Sequence, residues 1–223
     1  MHKKRYKSEQ KPDLFVKPIH LKNSSQEHYV SLLREMLITF CKGPAGTGKT
    51  FLASYIAIEA LLKKQVEKIV LTRPIIATED IGYLPGDMNE KIHPYILPML
   101  DAIESHLGPT KTKELMADGS VEVIPLAYMR GRSLNKAFII LDEAQNTTKI
   151  QMKMLLTRIG FDSQIVVCGD DSQTDLPMHQ ENGLVWALDR LKGCDEMIGV
   201  MEFYSHDIVR SPLIEKIIKH LGI

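Results

Sequence analysis

The residues at positions 43–50, GPAGTGKT, match the phosphate-binding pattern G-x-x-x-x-G-K-[ST] in full. Glycines in such a loop let backbone N–H groups turn toward a phosphate, and the helix that follows adds its partially positive N-terminus. The Lys49 ammonium can reach the β- and γ-phosphates, and the Thr50 hydroxyl can ligate Mg²⁺. The pattern therefore predicts a nucleotide-binding site formed by Gly43, Pro44, Ala45, Gly46, Thr47, Gly48, Lys49 and Thr50.

Two adjacent acids, Asp142 and Glu143, follow an apolar run at 138–141 that is typical of a buried strand. Such a strand would carry Asp142 to the carboxyl edge of a sheet, where it could hold Mg²⁺ through the water shell of the ion. Glu143 could polarise a water molecule that attacks the γ-phosphate. Because the backbone turns at a strand end, both acids can serve one site. The pair therefore predicts hydrolysis of a nucleoside triphosphate.

A second polar segment, GDDSQTD at 169–175, follows the next apolar run. A neighbouring strand end would place Gln173 near the γ-phosphate, where its amide can both donate and accept hydrogen bonds to orient water. An arginine could neutralise the charge that develops on the γ-phosphoryl oxygens. The sequence does not decide which of four arginines contact the nucleotide: Arg73, Arg130, Arg132 and Arg210.

Strand and helix patterns alternate along the chain, which predicts a three-layer α/β fold with a mostly parallel sheet. A strand over 37–42 and a helix over 50–63 would hold the phosphate loop between them. Ser24 and Glu27 have the spacing of a capping box at the start of the first helix. The remaining predicted strands cover 68–72, 121–126, 137–141, 164–168 and 197–203, and the remaining helices cover 24 to 33–36, 91–107, 148–159, 183–191 and 212–221.

Length and charge indicate one domain with a basic extension. The chain has 223 residues, 44% of them hydrophobic, and a formal net charge of zero. Residues 1–22 carry seven Lys or Arg and two acids, so a basic N-terminal arm of net charge +5 precedes a single P-loop domain at 23–223 of net charge −5. The arm would either contact phosphate backbones or remain a solvated tail.

Cysteine usage and hydropathy predict a cytoplasmic protein. Cys41, Cys168 and Cys194 are widely spaced, lack the spacing of a metal site, and are interpreted as reduced core thiols. The N-terminus lacks the apolar segment of a signal peptide, and no stretch approaches 18 uninterrupted apolar residues. We therefore expect no membrane partner.

Together these motifs resemble those of the PhoH-like ATPase family, which is related to superfamily 1 helicases. The resemblance extends over about residues 24–220, and the combination of motifs is far more specific than a phosphate loop alone. The matching segments are GPAGTGKT at 43–50, LTRP at 71–74, IGYLPGD at 81–87, EKIHPY at 90–95, YMRGRSLNKAFIILDEAQNT at 128–147, LLTRIG at 155–160, GDDSQTDLP at 169–177 and DIVR at 207–210.

This resemblance implies a RecA-like P-loop NTPase core that binds ATP and Mg²⁺, hydrolyses ATP and acts on RNA or single-stranded DNA. It also implies that Gln26 recognises adenine, that Gln145 and Gln173 lie near the γ-phosphate, and that Arg210 is a candidate arginine finger. The chain has one nucleotide-binding lobe where superfamily 1 helicases have two. This favours a homo-oligomeric ring in which Arg210 completes a neighbour's site, and the resemblance implies a hexamer. The IGYLPGD segment receives no chemical role.

Two alternatives to a nucleic-acid-coupled ATPase remain open. A small-molecule P-loop kinase would use the same loop, but the Asp142–Glu143 pair favours hydrolysis. A nucleotide-gated regulatory or binding module with slow hydrolysis would carry the same motifs. The nucleic-acid function is the weaker part of the prediction, since the sequence has no stripe of aromatic and basic residues. Tyr128 is interpreted as a packing or loop residue.

Overall fold

A single parallel sheet organises the chain. The computed structural model describes residues 16–75, 88–177 and 179–209, together with positions 213 and 220. Within these residues, six strands pair in parallel in the order β3-β2-β4-β5-β1-β6. The strands are β1 (Ile38–Lys42), β2 (Lys68–Thr72), β3 (Val121–Val123), β4 (Ala137–Leu141), β5 (Gln164–Gly169) and β6 (Ile198–Glu202).

Helices cover both faces of this sheet, because its strands bury side chains on both sides. In β4, Phe138 and Ile140 face one apolar layer, whereas Ile139 and Leu141 face the other. The first layer receives α1 to α4 and the second receives α5 and α6, which confirms the three-layer α/β fold. The helices are α1 (Ser24–Glu35), α2 (Lys49–Leu62), α3 (Met88–Leu107), α4 (Pro109–Ala117), α5 (Lys149–Leu156) and α6 (Gly183–Leu191). None of the described helices is long and apolar enough to cross a membrane.

The strand order brings the polar segments to one edge of the sheet. β5 lies between β1 and β4, with Cys41 paired to Cys168 and Leu141 paired to Val167. The chain leaves each of these three strands at the same carboxyl edge. The phosphate loop, the two acids and the GDDSQTD segment are therefore neighbours in space.

Helix α4 is not among the predicted helices, because the helix predicted at 91–107 ends before the Gly108–Pro109 pair. Gly108 does end α3, with φ +80°. Pro109 then occupies the first turn of α4, a position where its missing N–H costs no hydrogen bond. The same dipeptide therefore ends one helix and begins the next.

Other predicted boundaries differ in detail. β3 is shorter than expected, because after Pro125 the chain turns into a short 3₁₀ helix, Leu126–Met129. Asn23, rather than Ser24, caps α1 by accepting a hydrogen bond from the Gln26 N–H at 2.9 Å. The predicted helix at 212–221 and the IGYLPGD segment lie largely or wholly outside the described residues.

The cysteines fall into two groups. Cys41 and Cys168 are buried free thiols on neighbouring strands, as expected, but Cys194 is exposed and is not a core residue. Burial raises the pKa of the Cys168 thiol to about 12. This thiol is therefore neutral at physiological pH and a poor nucleophile.

Candidate active site

The phosphate loop joins β1 to α2 and presents unpaired backbone donors. Gly43, Gly46 and Gly48 have φ values of +141°, +83° and +90°, which residues with a side chain rarely adopt. In the described part of the chain, no backbone carbonyl accepts a hydrogen bond from the N–H groups of residues 45–48. Unpaired donors at a helix N-terminus form a cradle for an anion. The loop thus has the geometry that phosphate binding requires.

The Lys49 ammonium is folded back onto this loop. Its Nζ donates to the carbonyl oxygens of Gly43 at 2.6 Å and Pro44 at 2.8 Å. The side chain also lines the cavity above the loop. A phosphate in the cradle would offer the Lys49 ammonium a charged hydrogen-bond acceptor in place of two neutral carbonyls. A hydrogen bond to a charged acceptor is stronger than one to a neutral acceptor.

Three backbone hydrogen bonds fix the loop against neighbouring segments. The Gly43 N–H donates to the Gly169 carbonyl of β5 at 3.1 Å, and the Val209 N–H donates to the Gly46 carbonyl at 3.0 Å. The Phe203 N–H donates to the Lys42 carbonyl at 2.8 Å. Phe203 approaches so closely that a Cβ atom added at Gly43 would overlap the Phe203 carbonyl and lie 2.7 Å from Phe203 Cβ.

This close approach predicts that a side chain at position 43 lowers the stability of the fold. Gly43→Ala combines backbone strain at φ +141° with a steric overlap, whereas Gly119→Ala has a positive φ of +77° and no atom within 4 Å of the added Cβ. We expect Gly43→Ala to lower the free energy of unfolding by about 1–3 kcal/mol more than Gly119→Ala, the usual cost of an overpacked site. Urea unfolding of the two variants measures this difference. Equal losses in both variants would contradict a destabilising overlap with Phe203.

Thr50 and Asp142 meet at the floor of the site although 92 residues separate them in sequence. The Thr50 hydroxyl donates to Asp142 Oδ1 at 2.7 Å. Burial raises the pKa of Asp142, and the hydrogen bond from Thr50 opposes that rise. Mg²⁺ prefers oxygen ligands, keeps several waters and needs few protein groups. The pair therefore fits such an ion, and the described residues contain no cluster of three or more His, Cys, Asp or Glu that would suggest another metal.

Glu143 is held in an unusual conformation. Its backbone has φ +52° and ψ +40°, in the left-handed region that a residue with a side chain enters at a cost of about 1–2 kcal/mol. This turn is how the second of two adjacent acids reaches the same site as the first. The Glu143 carboxylate accepts a hydrogen bond from Gln145 Nε2 and lies 3.5 Å from Arg73 Nη2.

Gln145 connects the two polar loops and is almost fully buried. While its Nε2 donates to Glu143, its Oε1 accepts a hydrogen bond from the Asp170 N–H at 2.9 Å. The Asp170 carboxylate in turn accepts from Gln173 Nε2 at 2.8 Å. Gln173 itself is exposed. The structure therefore brings both Gln145 and Gln173 to the cavity. Their proximity to a γ-phosphate stays a prediction.

A further set of contacts makes these loops one unit. Asn146 Nδ2 donates to the Asp175 carboxylate at 3.2 Å, and the Asp175 N–H donates back to Asn146 Oδ1 at 2.8 Å. The Thr174 hydroxyl donates to the Gln145 carbonyl at 3.1 Å. The segment after β4 and the segment after β5 therefore hold each other in place.

These parts surround one cavity of about 300 Å³. Sequence reasoning missed three of the residues that line it, Phe51, Gly169 and Asp170. Asp170 belongs to the polar segment that drew attention to Gln173, so its chemistry could have been noticed. Phe51 gave no signal, because it occupies an ordinary apolar position on α2. Besides the phosphate loop, the lining includes Asp142, Glu143, Gln145, Asp170, Gln173 and Phe51.

Gln26 is hydrogen-bonded to the phosphate loop. The residue is buried, and its Nε2 donates to the Thr47 carbonyl at 3.0 Å while its Oε1 accepts from the Lys22 N–H at 2.9 Å. Its predicted contact with adenine stays a prediction. Its observed hydrogen bonds are to the backbone of the loop and to the backbone of Lys22.

The four candidate arginines have different surroundings. Arg73 contacts Glu143, whereas Arg132 donates to the Glu122 carboxylate at 2.7 Å and is engaged away from the cavity. Arg130 is exposed. Arg210 lies outside the described residues, so its predicted role as an arginine finger stays a prediction.

Comparison with known proteins yields a family match. The sequence model of the family described as PhoH-like protein matches residues 18–222. A PhoH-like protein of Bacillus subtilis (strain 168) is 49% identical over 204 residues, which cover 91% of this chain and 64% of the relative. Protein PhoH of Escherichia coli (strain K12) is 44% identical over 202 residues, 89% of this chain and 57% of the relative. The chain thus spans about three-fifths of the length of these curated relatives.

Solved structures give a weaker likeness. The helicase domain of Pyrococcus furiosus Hef aligns with a TM-score of 0.48 and 17% identity, over 88% of this chain and 44% of that chain. The Pif1 helicase from Candida albicans aligns with a TM-score of 0.46 and 16% identity, over 92% of this chain and 44% of that chain. Each alignment covers less than half of the other chain.

Proposed function

The chain belongs to the PhoH-like protein family, and we propose that it binds Mg·ATP in the cavity described above and hydrolyses it to ADP and phosphate. One observation carries this proposal. A phosphate cradle with unpaired N–H groups, the Thr50–Asp142 pair and Glu143 all face the same cavity. Phosphate binding, metal binding and activation of water are the three tasks that ATP hydrolysis requires.

Each side chain has a distinct task in this proposal. Lys49 leaves the loop carbonyls to bind the β- and γ-phosphates, and the N–H groups of residues 45–48 donate to the phosphate oxygens. Thr50 and Asp142 would hold Mg²⁺, which would supply positive charge to neutralise the phosphates. Glu143 takes a proton from the attacking water, and Gln173, which also lines the cavity, orients that water.

We further propose that hydrolysis is coupled to single-stranded RNA or DNA. The exposed residues Tyr128 and Arg130 support this, since an aromatic ring and a guanidinium can stack on a base and pair with a phosphate. The basic residues of 1–22 would add electrostatic attraction, and a ring-like homo-oligomer would supply the second lobe that strand movement needs.

Measuring phosphate release with and without poly(U) or oligo(dT) tests the coupling. We expect the single strand to increase the rate of hydrolysis, and light scattering on the same sample gives the oligomeric state. A nucleotide-gated module, the alternative function, would bind Mg·ATP but hydrolyse it slowly whichever strand is added. That result would refute the coupling.

A further inference from the structure

Glu143 is engaged on both of its carboxylate oxygens. Oε1 lies 3.5 Å from Arg73 Nη2, and Oε2 accepts from Gln145 Nε2. Gln145 is buried and lines the cavity, but Arg73 is not among the described residues that line it. Arg73 therefore approaches Glu143 from outside the nucleotide cavity.

This arrangement opposes the task proposed for Glu143. A general base must accept a hydrogen bond from the water that it activates. With Arg73 on one oxygen and Gln145 on the other, that water has to compete for the carboxylate. Gln145 is fixed by its second hydrogen bond to the Asp170 N–H. Arg73 is the partner that can be withdrawn, since its side chain keeps 26% of its surface exposed.

Arg73 also touches an exposed turn. Its carbonyl accepts a hydrogen bond from the Leu126 N–H at 3.2 Å, which ties the end of β2 to the 3₁₀ helix Leu126–Met129. Leu126 and Met129 are fully buried and anchor this turn. Between them Tyr128 is 53% exposed, so of the two interpretations, packing or loop residue, the packing role does not hold. Arg130 follows and is exposed as well.

Arg73, Tyr128 and Arg130 belong to two segments that the Leu126–Arg73 backbone hydrogen bond joins, and we call these three residues the Arg73 surface. Its two guanidiniums suit phosphates, and its aromatic ring suits an unstacked base. Arg132 is not included in this surface, because its guanidinium is paired with Glu122. The combination of cation and exposed ring fits a single strand better than a duplex, whose bases are already stacked.

We propose that single-stranded nucleic acid docks on the Arg73 surface and that one of its phosphates draws the Arg73 guanidinium away from Glu143, which frees the carboxylate for the attacking water. A bidentate guanidinium–phosphate pair is stronger than the single 3.5 Å contact that it replaces. In the absence of a strand, Arg73 restrains hydrolysis. The inference rests on the ATPase function proposed above and explains how a strand would stimulate it.

The central test is Arg73→Gln in the full chain. Without the guanidinium, the rate of ATP hydrolysis in the absence of a strand is expected to rise roughly two- to fivefold, the range that a partly exposed ion pair can contribute. The same variant is expected to lose stimulation by poly(U). Arg73→Lys keeps the charge but not the bidentate geometry. Its basal rate and its stimulation by poly(U) are expected to lie between those of the unmodified chain and those of Arg73→Gln. Thermal melting of each variant shows whether it is folded.

The docking part is tested with Tyr128→Ala and Arg130→Ala. Loss of a stacking ring is expected to raise the poly(U) concentration for half-maximal stimulation by at least about fivefold. Arg130→Ala is expected to reduce the slope of log affinity for poly(U) against log salt by about 0.7, the value for one phosphate contact on a single strand. Matched controls are Arg190→Ala on α6 and Phe161→Ala beyond α5, both exposed and away from the Arg73 surface. They should respond to poly(U) like the unmodified chain.

Three outcomes would overturn the inference. The first is an Arg73→Gln variant that is folded and hydrolyses ATP at the unmodified basal rate or below it. The second is equal stimulation by poly-glutamate, which would mean that a polyanion without bases suffices. The third is an unmodified chain that hydrolyses no ATP under any condition, and this alone would also refute the proposed function.

Discussion

Lys49→Ala is expected to reduce ATP hydrolysis by on the order of 10³-fold or more, the effect of losing a cation that binds the transferred phosphoryl group. Among the described residues that line the cavity, Lys49 is the single Lys or Arg. Within the described residues, the hydrogen-bond partners of its Nζ are two neutral carbonyls, so a nucleotide can recruit it without breaking an ion pair there. Phosphate release and binding of a non-hydrolysable ATP analogue should both fall.

The matched control is Lys42→Ala, one residue before the loop. Lys42 pairs with Glu202 at 2.9 Å and Asp171 at 3.4 Å and does not line the cavity. This variant should keep its hydrolysis within about threefold of the unmodified rate, because partly exposed ion pairs contribute little. Full activity in Lys49→Ala would mean that the nucleotide binds elsewhere.

Glu143→Gln is expected to bind Mg·ATP with nearly unchanged affinity but to hydrolyse it about 10²–10⁴-fold more slowly, the usual contribution of a general base. Glutamine has the shape of glutamate, so the left-handed turn at φ +52° and the contact with Gln145 can be kept. What is lost is the ability to take a proton. Calorimetric binding combined with single-turnover phosphate release separates the two effects.

Asp142→Ala should behave differently from Glu143→Gln. It removes the partner of the Thr50 hydroxyl and the carboxylate proposed to hold Mg²⁺. Affinity for Mg·ATP and its dependence on Mg²⁺ concentration should therefore fall together. Identical titration curves for the two variants would contradict the division of tasks between these acids.

Elements with strong local signals were predicted well from sequence. The bounds of β2, β4 and α6 agree with the structure at both ends, because an apolar run between polar or Gly residues defines them locally. α4 was missed since Gly108–Pro109 is compatible with either a loop or a new helix start. The choice depends on Thr112 and Leu115, which become buried against the rest of the fold.

In the site, sequence indicated the residue types but not their contacts. The phosphate loop, Asp142 and Glu143 could be named, since each chemistry needs particular side chains in a fixed local order. The contacts of Arg73 with Glu143 and of Gln145 with Asp170 could not be named. Both join segments that follow different strands.

The sequence by itself therefore determined that this protein has a phosphate loop, a pair of acids after a buried strand, and the alternation that yields a parallel sheet. The tertiary structure decided that β5 lies between β1 and β4, that Thr50 meets Asp142, and that Arg73 lies against Glu143. The physical reason is the range of the interactions. Loop geometry and strand burial follow from residues close in sequence, whereas strand order and register follow from the packing of both apolar layers at once.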